Sequence, residues 1–178
     1  MSLTPSPGDA PGAGHDPSAT DREWLSPACE LALLCPPSAT AFSVGAVVVA
    51  ADGVELARGY SREGDPRDHA GEAALAKLPA DDPRLATGTV YSSLEPCARR
   101  ASRPRPRAQL IRDAGVRRVV TAWREPGTFV QGADGAELLE EAGVTVLELA
   151  EYAEAAQMPN RHLVGEAPRV SRSGTPQP

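Results

Sequence analysis

The chain has 178 residues, with 18 Lys and Arg against 24 Asp and Glu, a formal charge of −6, 41% hydrophobic and 24% charged residues. That length suits one domain able to build its own core, and the acidic balance argues against a general DNA- or RNA-coating protein. No apolar run approaches the roughly 18 residues of a membrane span, and the Pro-, Gly- and Ser-rich N-terminus has no apolar stretch of a secretory signal. Three cysteines, Cys29, Cys35 and Cys97, are a sparse and odd set, which points to reduced thiols and a cytoplasmic protein. Of the 18 basic residues only Lys77 is not Arg, a matter of composition before function.

Residues 1–20 and 165–178 offer almost nothing to bury and are predicted to be disordered tails flanking one domain, residues 21–164. Asp21 is a candidate cap for a helix running to Cys35 and stopped by Pro36 and Pro37. Residues 44–49 form a continuous apolar, largely β-branched run, and Ala51-Asp52-Gly53 turns it into a second strand at 54–59. A helix is predicted over 69–78, with Ala73, Ala74, Leu75 and Leu78 inward, then a third strand over 89–94. A helix over 106–114 ends at Gly115, and a fourth strand at 117–123 is centred on Val119 and Val120. A helix over 134–142 ends at Gly143, a fifth strand covers 144–149, and a last helix starts near Glu151. The order β-β-α-β-α-β-α-β predicts an α/β protein. Its architecture is a three-layer α/β/α sandwich with a mixed five-stranded sheet, antiparallel in its opening hairpin and joined by parallel crossovers afterwards.

Two helix starts concentrate reactive side chains. His69 opens one, and Glu95-Pro96-Cys97 follows the third strand, so His69 and Cys97 can face one crevice at the strand ends, where open α/β sheets take their ligands. Imidazole and thiolate are both zinc donors, and a catalytic zinc takes three protein ligands and a water. Taken alone, His69 could be an ordinary surface or core histidine, and Cys97 a small buried hydrophobe.

Together with Ser43-Val44-Gly45-Ala46-Val47-Val48-Val49, His69-Ala70, Val90-Tyr91-Ser92-Ser93-Leu94-Glu95-Pro96-Cys97 and Ala114-Gly115-Val116-Arg117-Arg118-Val119-Val120, these residues carry a resemblance. Over roughly residues 24–149 the chain resembles the cytidine deaminase-like superfamily of zinc-dependent deaminases, and within it the pyrimidine deaminase branch of riboflavin biosynthesis. The resemblance implies hydrolytic deamination of an aminated heterocycle, zinc as cofactor with His69 and Cys97 among its ligands, a nucleotide-like small-molecule ligand, and a homo-oligomer, a dimer being expected.

The chain departs from that family at its reactive positions. The family signature is His-x-Glu with Pro-Cys and a second Cys, the Glu taking a proton from the zinc-bound water and delivering it to the departing amine. Gly71 stands where that Glu stands. Glu72 follows it, about 100° further round a helix, and is the only nearby candidate for a displaced base. Arg107 stands where the second Cys stands, and a guanidinium has no lone pair for a metal. Cys29 or Cys35 could supply a third ligand only by leaving an apolar helix face. The substrate-binding Asn of the branch is replaced within Ala41-Phe42-Ser43, leaving Phe42 to face a flat ring or to join the core. Cys97 to Arg107 holds Arg99, Arg100, Arg103, Arg105 and Arg107, a set suited to a substrate phosphate or else to a solvated basic loop. With aromatic content of 4%, stacking platforms for nucleic acid are few. Two readings follow: a deaminase of a phosphorylated pyrimidine with altered machinery, or a metal-free pseudo-deaminase that binds a nucleotide-like ligand or a partner protein. A third, a reactive low-pKa thiol at Cys97, rests on the arginines alone.

Overall fold

The computed structural model describes residues 17–97, 107–124 and 135–164. Of the tails expected at 1–20 and 165–178, residues 1–16 and 165–178 lie outside these, as do Arg99, Arg100, Arg103 and Arg105, while Ser18, Ala19 and Thr20 are ordered as the cap and first residues of a helix. Helix α1 spans Ala19–Ala32 and opens earlier than the Asp21 cap predicts. Ser18 is the cap: its hydroxyl accepts from the Asp21 N–H at 3.1 Å while the Asp21 carboxylate accepts from the Ser18 N–H at 2.9 Å. This reciprocal pair satisfies two helix-end donors at once, which a lone Asp21 could not do. The helix also stops short of Cys35. Leu33, Leu34 and Cys35 continue in tighter i→i−3 turns ahead of Pro36.

Strands β1 (Gly45–Val49) and β2 (Glu55–Tyr60) form the expected antiparallel hairpin. Then come α2 (Ala70–Leu75), β3 (Thr89–Ser92), α3 (Arg107–Asp113), β4 (Arg118–Thr121), α4 (Gly135–Glu141) and β5 (Thr145–Glu148). Beyond β5, a 3-10 turn at Ala150–Tyr152 leads to α5 (Ala153–Gln157), a second 3-10 turn at Met158–Asn160, and α6 (Arg161–Val164). The final helix expected near Glu151 is therefore a broken arm, interrupted where Pro159 removes a backbone donor.

The sheet order is β2-β1-β3-β4-β5, with β1 antiparallel to both neighbours and β3, β4 and β5 parallel. All five residues of β1 are buried, as expected of a central strand covered on both faces. Alternation along the strands sorts the core. Val47, Tyr91 and Val120 face α1 and α5 with Leu25, Ala28, Leu31 and Ala156. Val48, Val90 and Val119 face the other way, toward Ala74, Ala108, Ile111 and Leu139 from α2, α3 and α4. The result is the three-layer sandwich.

Two glycines set how closely helices sit on the sheet. A Cβ on Gly59 of β2 would lie 2.6 Å from the Ala74 nitrogen and 2.8 Å from the Ala70 oxygen, both backbone atoms of α2. A Cβ on Gly45 would lie 2.1 Å from the Ala28 oxygen of α1. Only glycine allows these approaches, and the first of them places the start of α2, where His69 sits.

Candidate functional site

Strand direction collects the chemistry at one edge of the sheet. Strands β2, β3, β4 and β5 all end there and β1 begins there. The segments that meet at this edge are Phe42-Ser43-Val44 before β1, His69 after β2, Glu95-Pro96-Cys97 after β3, Trp123 after β4 and the arm after β5. Ligands of open sheets bind at such strand ends.

His69 is the N-cap of α2, extended at φ −99° and ψ 151°, and is half-buried. Its carbonyl accepts from the Ala73 N–H at 2.8 Å, which starts the helix. Gly71 is buried on the inner side of the first turn, and Glu72, one residue on, is half-buried. Cys97 is 5% exposed, and its carbonyl accepts from the Ala108 N–H of α3 at 3.5 Å. Ala70, beside His69, and Leu94, three residues before Cys97, share one buried cluster with Phe42, Val44 and Ala46. The two segments foreseen as neighbours are thus brought to a common apolar floor. Arg107 is the first residue of α3.

Phe42 is 8% exposed, and its ring meets Trp123 edge-on, with centroids 5.5 Å apart and planes at 77°. Of its two sequence roles, the structure places the ring in the core cluster beneath the site. Cys29 is buried among Leu25, Val47 and Tyr91, across the sheet from α2, and burial pushes its thiol up to about 12. Cys35 is also raised, chiefly by burial, and its Sγ donates to the Val44 carbonyl at 3.4 Å. Among the described residues no three of His, Cys, Asp and Glu come together as a metal site. His69 and Cys97 bring two donors where a catalytic zinc takes three protein ligands, so the donor set among the described residues does not fit one.

Three residues that sequence reasoning left without a role shape this edge. Glu95 is 1% exposed, and its carboxylate accepts from the Ala136 N–H at 2.6 Å, while its own N–H donates to the Trp123 carbonyl at 2.8 Å. It ties the end of β3 to the start of α4 and to the turn after β4. Arg62 has φ 64°, in the left-handed region that a non-glycine residue rarely visits. Its guanidinium bonds the Pro36 and Phe42 carbonyls and the Ser43 hydroxyl, with distances between 2.7 and 3.1 Å. Asn160, fully buried, holds Ser43 from the other side. Glu95 already stands inside the Leu-Glu-Pro-Cys motif; for Arg62 and Asn160 the sequence holds no local signal for the bonds to Pro36, Phe42 and Ser43, which lie far away along the chain.

A separate cleft of about 360 Å³ opens at the opposite edge, lined by Ser18, Thr20, Asp21, Thr87, Tyr91 and Arg118 among others. Its charged groups answer one another: Arg118 and Tyr91 both bond the Asp21 carboxylate. Among the described residues no helix is long and apolar enough to cross a membrane.

Residues 18–123 match the family described as "Cytidine and deoxycytidylate deaminase zinc-binding region". The chain is 37% identical over 129 residues to a diaminohydroxyphosphoribosylamino-pyrimidine deaminase of Schizosaccharomyces pombe, covering 71% of this chain and 31% of that protein. Among solved structures it resembles RibD of Acinetobacter baumannii, with a TM-score of 0.66 and 29% identity over 81% of this chain and 38% of that one. The dCMP deaminase of cyanophage S-TIM5, solved with dCMP and dUMP, has a TM-score of 0.55 at 20% identity, covering 76% of this chain and 100% of that one, a likeness of fold. The chain therefore spans about a third of the length of the curated relative it matches. On the match over residues 18–123 and the identity that accompanies it, the chain belongs to the cytidine and deoxycytidylate deaminase family and is related to the RibD-type pyrimidine deaminases.

Proposed function

We propose that this chain keeps the nucleotide-binding crevice of its family and has given up zinc-assisted hydrolysis: a pseudo-deaminase that binds a pyrimidine nucleotide or a similar phosphorylated heterocycle. The observation that carries this reading is Gly71 on the inner side of the first turn of α2, with the only nearby carboxylate on α2 one residue further round at Glu72. Without a carboxylate at position 71, the inner side of that first turn offers no group to activate water or return a proton to the leaving amine. Arg107 at the family's second thiolate position supplies a cation where a zinc site needs an electron pair. Arg99, Arg100, Arg103, Arg105 and Arg107 then serve a phosphate, for which guanidinium forks are suited. The retained segments around His69 and Cys97 build the walls of the crevice. Dimers in solution accompany this reading, as the family resemblance implies.

The second reading, an active deaminase using Glu72 as a displaced base, is favoured by the 37% identity to a deaminase. Metal analysis by inductively coupled plasma mass spectrometry, on protein purified without added metal or chelator, separates the two. We expect far less than one zinc per chain, no ammonia from dCMP, and measurable dCMP binding by equilibrium dialysis. In Gly71→Glu with Arg107→Cys, zinc rises toward one per chain. Stoichiometric zinc with ammonia release in the parent protein would establish the second reading instead.

A further inference from the structure

Strand β2 is an edge of the sheet: among the described residues it pairs with β1 alone. Its backbone groups alternate between that partner and the outside. The Ser61 N–H, just past the strand, points inward and donates to the Val44 carbonyl at 2.9 Å. By the alternation of a strand, the Tyr60 N–H and the Arg58 carbonyl point away from β1, where an edge ordinarily leaves such groups to water or to another chain. Here Glu63 and Lys77 answer them. The Glu63 carboxylate accepts from the Tyr60 N–H at 3.3 Å, and the Lys77 ammonium donates to the Arg58 carbonyl at 2.6 Å. The same ammonium donates to the other Glu63 oxygen, Oε1, at 2.6 Å, which joins the caps into one unit.

Separate features of the chain produce this arrangement. Arg62 takes a φ of 64°, which turns the chain back just past β2 and brings Glu63 alongside the strand it has left. Gly59, with no Cβ, lets α2 lie against β2, so that Lys77 just beyond the helix end reaches the outer rim of the strand. Lys77 is also the single lysine of the chain. An ammonium can share its protons between a carbonyl and a carboxylate lying in different directions, whereas a planar guanidinium favours one bidentate partner. A partly exposed ion pair of this kind adds little to stability, so its effect falls on the edge and not on the fold.

We propose that Glu63 and Lys77 take the place of a sixth strand on this five-stranded sheet, and that the edge they close is a strand-pairing surface for a second copy of the chain once the pair is broken. A second copy fits because the charges along β2 are self-complementary. Glu55 and Arg58 carry opposite charges, and two β2 strands laid antiparallel about a two-fold axis set each Glu55 against the Arg58 of the other copy. Within one chain the two bond each other at 2.7 Å, so pairing exchanges an internal contact for the same contact across the axis. This inference stands apart from the nucleotide-binding reading above.

The test is sedimentation velocity on the full chain over a concentration series, for the parent, for Lys77→Ala, and for the exchanged pair Glu63→Lys with Lys77→Glu. The exchange keeps the attraction between the side chains but turns an ammonium toward the Tyr60 N–H and a carboxylate toward the Arg58 carbonyl, so neither backbone group is capped. We expect the parent to hold one mass throughout and both variants to rise with concentration toward about twice that mass, as a two-fold pairing requires. Adding Arg58→Pro to Lys77→Ala returns the parent mass, because proline removes an outward N–H that pairing needs and none that β1 uses. Urea midpoints of the parent and Lys77→Ala stay alike, as for an exposed ion pair. Variants that keep the parent mass at every concentration overturn the proposal. An exchanged pair that behaves as the parent does so too, leaving an ordinary surface ion pair. Association that survives Arg58→Pro overturns β2 as the pairing surface, and a midpoint that falls sharply makes the pair a support of the fold instead.

Discussion

Arg118, the first residue of β4, donates two hydrogen bonds to the carboxylate of Asp21, 97 residues earlier on α1, at 2.6 and 2.9 Å. Tyr91 adds a third donor at 3.1 Å from β3, and Asp21 also closes the capping box with Ser18. One buried carboxylate therefore joins the first helix to two central strands, at the edge of the sheet away from the candidate site. Breaking a buried pair by removing one partner leaves the other charge unanswered in a poor solvent. Asp21→Asn is expected to lower the unfolding free energy by about 3–5 kcal/mol in urea titration. A loss under about 1 kcal/mol would place this pair with the weak surface bridges.

The same carboxylate makes stability fall in acid. Burial raises the Asp21 pKa, but the hydrogen bonds from Arg118 and Ser18 and the Arg118 charge outweigh it and hold it well below the usual carboxylate range. A depressed folded pKa means that the unfolded chain takes up a proton first, at about 3.9. The stability contributed by Asp21 is present above that value and is lost as pH falls through it. Thermal midpoints are expected to drop more steeply below about pH 4 for the parent than for Asp21→Asn. Parallel curves for the two proteins would assign the acid sensitivity to other groups.

Cys29 behaves oppositely. Burial first, and the Glu30 charge second, push its thiol up to about 12, so the thiolate that reacts with maleimides is absent at ordinary pH. A raised folded pKa contributes stability below the unfolded value of about 8.5, and that stability is lost as pH rises above it. At about pH 8, N-ethylmaleimide should leave Cys29 unmodified in the native protein and label it in urea. Native-state labelling at Cys29 as fast as at a free thiol would mean the α1 face of the core is open.

Gly59 fixes the spacing of β2 and α2, and with it the position of His69. The methyl of Gly59→Ala would meet the Ala74 nitrogen at 2.6 Å and the Ala70 oxygen at 2.8 Å, neither of which is a side chain that can swing away. We expect a loss of about 1–3 kcal/mol on urea unfolding, the usual cost of overpacking. By contrast Gly53→Ala, in the exposed hairpin turn where a Cβ meets nothing within 4 Å, carries only the strain of φ +83°. If the two variants lose equal stability, close packing at Gly59 is not what the glycine is for.

The sequence by itself determined the class of fold, the five strands and the family. Those features are written in local patterns: the buried run of β1, the Asp52-Gly53 turn, and the spacing of His69, Glu95, Pro96 and Cys97. It also placed Gly71 and Arg107 where the family resemblance leads one to expect a carboxylate and a thiolate, which is the ground of the proposed loss of hydrolysis. Helix ends were less legible. Ser18 caps α1 by pairing with Asp21, and a single candidate cap could be read at either residue. Tertiary structure alone decided what surrounds the crevice. Phe42 turns into the core because Trp123 meets its ring, and Cys29 falls across the sheet because α1 packs on the opposite face from α2. Arg62 and Asn160 reach backbone atoms of the segment before β1 from 20 to 117 residues away, and no local pattern encodes such a partner. A backbone carbonyl looks the same in every residue, so which one a buried amide or guanidinium will find is settled only when the chain has closed around it.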